Sequence, residues 1–372
     1  MKINIKFRKT NRFKKRKYNK KKKKFIYNKN YIIKYLSFIF LSIIFLYMHI
    51  QFKDSNLIHQ IHIAISSDNK YVYPSIVFLT SLLDNRAEST SYIIHVLFDN
   101  HFSKNNINKI KTVVDNFGKN RAEVVFHNIG DDFKKATISF YSRANYYRIA
   151  LPSLLPNVDR VIYIDVDTLN FKDLTELYNV KLNKDMYLSA ILDYALNVKE
   201  IAKFGIKINK YINSGVLLMD LKTMREKSIE KILRDFIGTH HLKTVDQTAI
   251  NAICNNNIQI MPYKYTVPLF GSYEELVQCN SGQETMYKVR ESELYNCYHD
   301  PTLIHFCGPK KLWSKNFNHA YKPYWFHYAK MSGFYNEILN HFRYDINEAE
   351  NILQQIPPDG GLLKHYNKKK LM

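Results

Sequence analysis

Between residues 61 and 165, short apolar runs alternate with longer amphipathic ones, and this alternation restricts the fold more than any other feature of the chain. The runs "IHIAIS" (61–66), "YIIHVLF" (92–98), "AEVVFHNI" (122–129) and "RVIYID" (160–165) read as strands, because each is short and rich in β-branched or aromatic residues. Helical spacing fills the intervals. It lies in "SIVFLTSLLDN" (75–85), in "NNINKIKTVVDNFG" (105–118) with its glycine stop, and in "SFYSRANYYRIALPSLLP" (139–156), which ends in prolines. Strands joined by helices of this length predict an α/β fold, a Rossmann-like, doubly wound and mostly parallel sheet. Ligands of such sheets bind beyond the carboxyl ends of the strands.

The fourth strand ends in two acids, Asp165 and Asp167, in "VIYIDVDTL" (161–169). Residues i and i+2 of a strand face the same way, so the two carboxylates point at one spot. They repel each other unless a cation lies between them. Mg2+ and Mn2+ take oxygen ligands and keep positions for phosphate oxygens. A D-x-D by itself also suits a solvated loop, so its company decides. "NSGVLLMDL" (213–221) opens an apolar strand with Asn213 and Gly215, and the glycine permits close backbone approach to a ligand. "VDQTAIN" (245–251) sets Asp246 and Gln247 at a helix start. "LIHFCGPKKLW" (303–313) runs a strand into His305, then Gly308 and Lys311. His305 offers a metal ligand and Lys311 a phosphate partner. Each also has a plain reading, as a core histidine, a turn glycine or a surface lysine.

The net charge of +22 suggests nucleic acid until it is mapped. Fifteen Lys or Arg and no acid fall in residues 1–30, which leaves +7 for the other 342. The basic character is therefore a tail rather than a face of the folded body, and no nucleic-acid partner is expected. The next segment, 35–52, carries no formal charge over 18 residues, near the short end for crossing a bilayer. With its positive flank in the cytosol it predicts a single-pass anchor and a body on the far side, in a Golgi or ER lumen if the host is eukaryotic. A cleaved signal peptide fits less well, since no small-x-small site follows. The chain has no N-x-[ST] sequon, which favours a host without N-glycosylation. Cys254, Cys279, Cys297 and Cys307 permit disulfides, with Cys279 and Cys297 bracketing a polar insert, and their pairing stays open. The expected organisation is a basic tail (1–34), the anchor (35–52), a short stem (53–60), a catalytic body (61–315) and an aromatic, basic C-terminal helical extension (316–372).

Six segments in order carry a resemblance. "ISSDNKY" (65–71), "YYRIALPSLLP" (146–156), "VIYIDVDTL" (161–169), "INSGVLLMDL" (212–221), "DQTAIN" (246–251) and "HFCGPKKLW" (305–313) resemble the retaining glycosyltransferases of family eight, over roughly residues 60–315. The resemblance implies a GT-A fold and a Mn2+-dependent enzyme, with Mg2+ as the alternative. It implies transfer of a hexose or pentose (glucose, galactose or xylose) from a UDP-sugar to a hydroxyl of a glycan, glycoprotein or glycolipid. By position, Asp165, Asp167 and His305 match the metal ligands. Ser66, Asp68 and Tyr71 match the first-loop residues at the nucleotide. Arg148 matches an arginine that contacts the donor, so its removal is expected to weaken donor binding and leave the fold intact. Asp193 matches an acid near the donor sugar, and Asn213 and Gly215 the sugar-side Asn-x-Gly. Asp246 and Gln247 match the pair by the reacting carbon, which makes Asp193, Asp246 and Gln247 the catalytic candidates. Gly308 and Lys311 match the diphosphate-binding turn. Two departures, Lys70 and the Lys310-Lys311-Leu312 run, blur the identity of the donor.

Rival readings are weaker. A nucleotidyltransferase would carry a Gly-rich phosphate loop, which "SSDNKYVYP" lacks. A membrane-anchored binding protein on the same fold, without catalysis, sits poorly with intact Asp165, Asp167 and His305.

Overall fold

The central strands of the body send their side chains alternately to two apolar layers, and this sets the architecture. The computed structural model describes residues 36–45, 59–136, 142–193, 198–206, 210–269, 271–282, 290–358 and 361. The chain divides into two units, Met1–Ile58 and His59–Met372. In the first unit residues 36–45 are helical, with Leu36, Phe38, Phe40, Leu41 and Phe45 exposed. Among the described residues no helix is long and apolar enough to cross a membrane. The basic tail and the remainder of the expected 35–52 span lie outside the described residues, so the expected anchor draws no support here.

The second unit contains ten strands among its described residues: β1 (His59–Ser66), β2 (Thr90–Phe98), β3 (Ala122–Asn128), β4 (Arg160–Ile164), β5 (Thr168–Asn170), β6 (Leu188–Leu192), β7 (Ile212–Asp220), β8 (Ile258–Ile260), β9 (Thr266–Leu269) and β10 (Leu303–Phe306). The large sheet runs β3-β2-β1-β4-β7-β6-β8. β1 pairs in parallel with β2 and β4, β2 with β3, and β6 with β8. β7 alone runs against its neighbours β4 and β6. The first four strands and the helices Val72–Asp84 and Lys104–Gly118 fall where the alternation places them.

Ile61, Ile63 and Ile65 of β1 face one buried layer, which the C-terminal helices Lys322–Met331, Tyr335–Phe342 and Ile346–Leu353 complete through Trp325, Phe326, Ile338 and Leu339. Ala64 faces the other, with Tyr163 of β4 and Leu217 of β7. The described helices of the C-terminal extension, as far as Leu353, thus pack into this core.

Two elements differ from expectation. The helix expected over 139–156 is a 3-10 segment, Arg143–Ala150, followed by the single turn Leu151–Leu154. Pro152 has no N–H to donate four residues back, so a continuous α-ladder cannot form there. Residues 139–141 of that stretch lie outside the described residues. A second sheet, β5-β10-β9, has strands of three and four residues, too short for periodicity to register. Cys254, Cys297 and Cys307 are free and buried, so none of these three forms a disulfide.

His62, His95 and His127 stand side by side on β1, β2 and β3. Nδ1 of His62 lies 3.0 Å from Nε2 of His95, and Nδ1 of His95 lies 3.0 Å from Nε2 of His127. Neutral rings satisfy both contacts if one tautomer direction runs through the row. Burial first, then its two neighbours, lowers the pKa of His95 to about 3. In the unfolded chain the ring takes a proton near pH 6.5. The folded state resists it, so stability is complete above pH 6.5 and is lost as the pH falls toward 3. Unfolding by urea at pH 4.5 is expected to need about 2 kcal/mol less than at pH 7 on account of this ring alone. A His95→Gln variant with the same pH slope as the natural chain would remove the row as the cause.

Candidate active site

The large and small sheets meet where β4 ends and β5 begins, and Asp165-Val166-Asp167 is that junction. The Asp165 amide extends the β4–β7 ladder by donating to Gly215 O at 2.7 Å, and the Phe306 amide donates to Asp167 O at 3.0 Å. β10, lying beside β5, delivers His305 to the same point. His305 Nε2 is 3.1 Å from Asp167 Oδ1 and 3.8 Å from Asp165 Oδ2. One ligand atom from each of the three lies within 4.8 Å of the others.

Gly215 makes this approach sterically feasible. A Cβ there would overlap the His305 imidazole. The close approach that glycine allows is therefore to a side chain of the site itself. Gly215→Ala is expected to displace the ring and, with Mn2+ as a probe of the Asp165, Asp167 and His305 cluster, to weaken any cation binding there by tenfold or more, with a loss of stability of about 1–3 kcal/mol from overpacking. Titration of Mn2+ by electron paramagnetic resonance checks this, and unchanged affinity would show that the ring needs no such space.

Beneath the acids lies Arg148, 1% exposed. Its Nη2 donates to Asp165 Oδ1 at 2.8 Å, its Nε to Asn145 O at 2.9 Å, and its Nη1 to Ser214 O. The guanidinium also stacks 4.1 Å from the Tyr163 ring centroid. Asp246 Oδ2 lies 3.1 Å from Nε, but that N–H is spent on Asn145, so the attraction is one of charge without a hydrogen bond. Burial raises the Asp246 carboxyl to about 6, against the pull of Arg148. Arg148 is pushed above its ordinary range because Asp165 and Asp246 outweigh its desolvation.

A polar chain runs beside the acids. Asp193, buried at the end of β6, accepts from Asn213 Nδ2 at 3.1 Å and from Gln247 Nε2 at 2.7 Å, both on Oδ2. Gln247 Oε1 accepts from the Ser214 amide at 3.1 Å. Asn213 Nδ2 also points at Cys307 Sγ, 3.5 Å away, and that sulfur lies 3.2 Å from His305 Nδ1. Burial opposes protonation of His305, yet its pKa is raised well above the ordinary value. Its neighbours Cys307 and Asp167 raise it, and burial raises the Cys307 thiol as well.

Just after β10, Gly308 adopts φ 78°, a left-handed turn that a side chain would strain. Lys311 beyond it pairs with Asp167 Oδ2 and donates to Phe306 O at 2.7 Å. The first loop closes the other side. Asp68 Oδ1 accepts from the Lys70 and Tyr71 amides at 2.9 and 3.0 Å, and Oδ2 from Ser142 Oγ at 2.7 Å, so this carboxylate braces its own loop. Tyr71 sits edge-on to Trp313, ring centroids 5.9 Å apart. Burial and then the Asp167 charge raise its hydroxyl pKa. Ser66 is buried at the end of β1.

Sequence reasoning passed over Tyr163 and Cys307. Both were findable, since Tyr163 stands two residues before Asp165 and Cys307 two after His305, each on its ligand's side of the chain. Tyr163 donates to Asp165 Oδ1 at 3.0 Å.

The architecture is a GT-A-like α/β fold with a mostly parallel central sheet. It superimposes on the galactosyltransferase LgtC, solved in complex with donor and acceptor sugar analogs, with a TM-score of 0.61 at 20% identity, covering 73% of this chain and 95% of that one. The chain belongs to glycosyl transferase family 8, whose model matches residues 62–317, and it is a glycosyltransferase. Among curated proteins it is similar to General stress protein A of Bacillus subtilis, 26% identical over 72% of this chain and 92% of that protein. It is also similar to the lipopolysaccharide 1,2-glucosyltransferase of Escherichia coli, 26% identical over 68% of this chain and 73% of that one.

Proposed function

We propose that this glycosyltransferase moves a hexose or pentose, with glucose, galactose and xylose the leading candidates, from a UDP-sugar to an acceptor hydroxyl with retention of configuration, using Mn2+. The observation that carries this is the convergence of Asp165, Asp167 and His305 on one point in a family 8 chain. Two carboxylates and an imidazole fit Mn2+ better than Mg2+, which takes oxygen ligands almost alone, so Mg2+ is the alternative cation. When bound, the cation would neutralise charge on the departing diphosphate. Lys311, on the turn at Gly308, would hold a phosphate oxygen, and Ser66, Asp68 and Tyr71 would shape the nucleotide end.

On the sugar side, Asn213 and Gln247 fix Asp193 Oδ2. Gln247 spends its amide oxygen on the Ser214 amide, so it serves poorly as a nucleophile. Asp246 is 1% exposed and turned to Arg148, which leaves Asp193 as the protein group a covalent route would need. We favour attack from the face the diphosphate leaves, and trapping a sugar on Asp193 would reverse that choice.

The acceptor is a glycan, glycoprotein or glycolipid hydroxyl, in keeping with the lipopolysaccharide glucosyltransferase relative. The uncharged 35–52 run and the basic tail before it support a single-pass anchor, with a Golgi or ER lumen as the site in a eukaryotic host. The deciding assay gives the full chain in detergent Mn2+ and a panel of UDP-sugars and measures UDP release. Metal-dependent release from one donor is expected. Donor binding with no release under any acceptor tested would favour a binding protein on the same fold.

A further inference from the structure

The acidic pair is already engaged by cations of the protein itself. Asp165 Oδ1 accepts from Arg148 Nη2 at 2.8 Å and from the Tyr163 hydroxyl at 3.0 Å. Asp167 Oδ2 accepts from Lys311, and Asp167 Oδ1 faces His305 Nε2 at 3.1 Å. Arg148 therefore gives Asp165 a counter-ion and Lys311 gives Asp167 one, with the His305 ring as a further neighbour of Asp167.

The two counter-ions are built differently. Arg148 is 1% exposed, tied to two backbone carbonyls and stacked on Tyr163, so it stays in place. Lys311 is a point charge on a flexible stem, its side chain 12% exposed, held by one carboxylate oxygen and Phe306 O at 2.7 Å. It follows a left-handed turn at Gly308, outside any strand. An ammonium in that position opposes a bare divalent cation, because both compete for Asp167 and repel each other in a poorly solvated space. A cation that arrives with a diphosphate brings anionic oxygens and little net charge. The ammonium then has somewhere to go.

We propose that Lys311 is an exchangeable counter-ion, closing Asp167 in the donor-free protein and passing to the diphosphate on donor entry, so that the site takes cation and nucleoside diphosphate together and binds the cation alone weakly. This rests on the reading of Asp165, Asp167 and His305 as a cation site. It adds an order of events, since Lys311 gates the metal as well as holding phosphate.

The experiment measures Mn2+ binding to the full chain by electron paramagnetic resonance, with and without UDP. In the natural chain UDP is expected to tighten Mn2+ binding about tenfold or more, from relief of like-charge repulsion. Lys311→Met keeps the length and removes the charge. It is expected to bind Mn2+ alone about five- to tenfold more tightly, and UDP is expected to add under about twofold. Lys311→Arg keeps the charge and is expected to retain weak binding of Mn2+ alone. If Lys311→Met fails to fold, Lys311→Gln takes its place.

Unchanged or weaker binding of Mn2+ alone in the neutral variants, with the UDP effect intact, overturns the counter-ion role and leaves the cation site standing. If the natural chain binds no Mn2+ even with UDP, the cation-site reading itself falls and this inference falls with it.

Discussion

Asp165→Asn is expected to abolish Mn2+ binding at the site and lower turnover by about a thousandfold, on the order of 4 kcal/mol in the barrier, while the protein stays folded. The asymmetry of the two carboxylate oxygens explains why the fold should survive. Oδ1 accepts from Arg148 and Tyr163, and an amide oxygen can accept both. That choice turns the amide NH2 to where Oδ2 now stands, facing His305 Nε2 from 3.8 Å. The variant would then present a donor where a ligand atom is required. Turnover with saturating Mn2+, Mn2+ titration and a thermal melt, taken together, check the claim. A folded variant with full Mn2+ affinity would remove Asp165 from the ligand set. One that unfolds would mean the Asp165 charge chiefly serves Arg148.

How much of this was legible depends on the distance over which each residue acts. The parallel core came from local alternation, because β-branched runs such as Ile61–Ile65 and helical runs such as Val72–Leu83 state their period within a few residues. The aim of Asp165 and Asp167 followed from strand geometry in the same way. Gly215 was legible as a place of close approach, but not what approaches it, since His305 lies ninety residues on and joins it through a second sheet. That sheet was invisible because β5, β9 and β10 hold three or four residues each. The reversal of β7 left no local mark either, since an apolar strand reads the same in both directions. Asp68 was matched to a ligand role, whereas its hydrogen bonds to Lys70, Tyr71 and Ser142 emerge only when the loop closes.

Arg148 is where pattern and packing part most, and its replacement is expected to have the largest effect on stability. An arginine in "YYRIAL" reads as a donor contact whose loss leaves the fold intact. The structure instead buries it completely between two acids. Arg148→Ala would strip the donors from Asn145 O and Ser214 O, and would leave Asp246, 1% exposed, without its counter-charge. Removing one partner of a buried pair costs about 3–5 kcal/mol, so the variant is expected to unfold at much lower urea.

The pH dependence identifies the cause. The folded pKa of Asp246, about 6, is raised above the unfolded value, so its stabilising share is complete below the unfolded pKa near 4 and is lost as the pH rises through 6. Without Arg148 the folded value rises further and the loss extends to higher pH. The deficit of Arg148→Ala relative to the natural chain should therefore be larger at pH 8 than at pH 5, where Asp246 is largely neutral in both proteins. Arg148→Lys should recover only part of it, since one ammonium cannot reach Asn145 O, Ser214 O and Asp165 together. Urea denaturation of the three proteins at both pH values is the measurement. Equal deficits at pH 5 and pH 8 would mean that Arg148 stabilises through packing and carbonyl hydrogen bonds, with Asp246 already neutral in the folded chain.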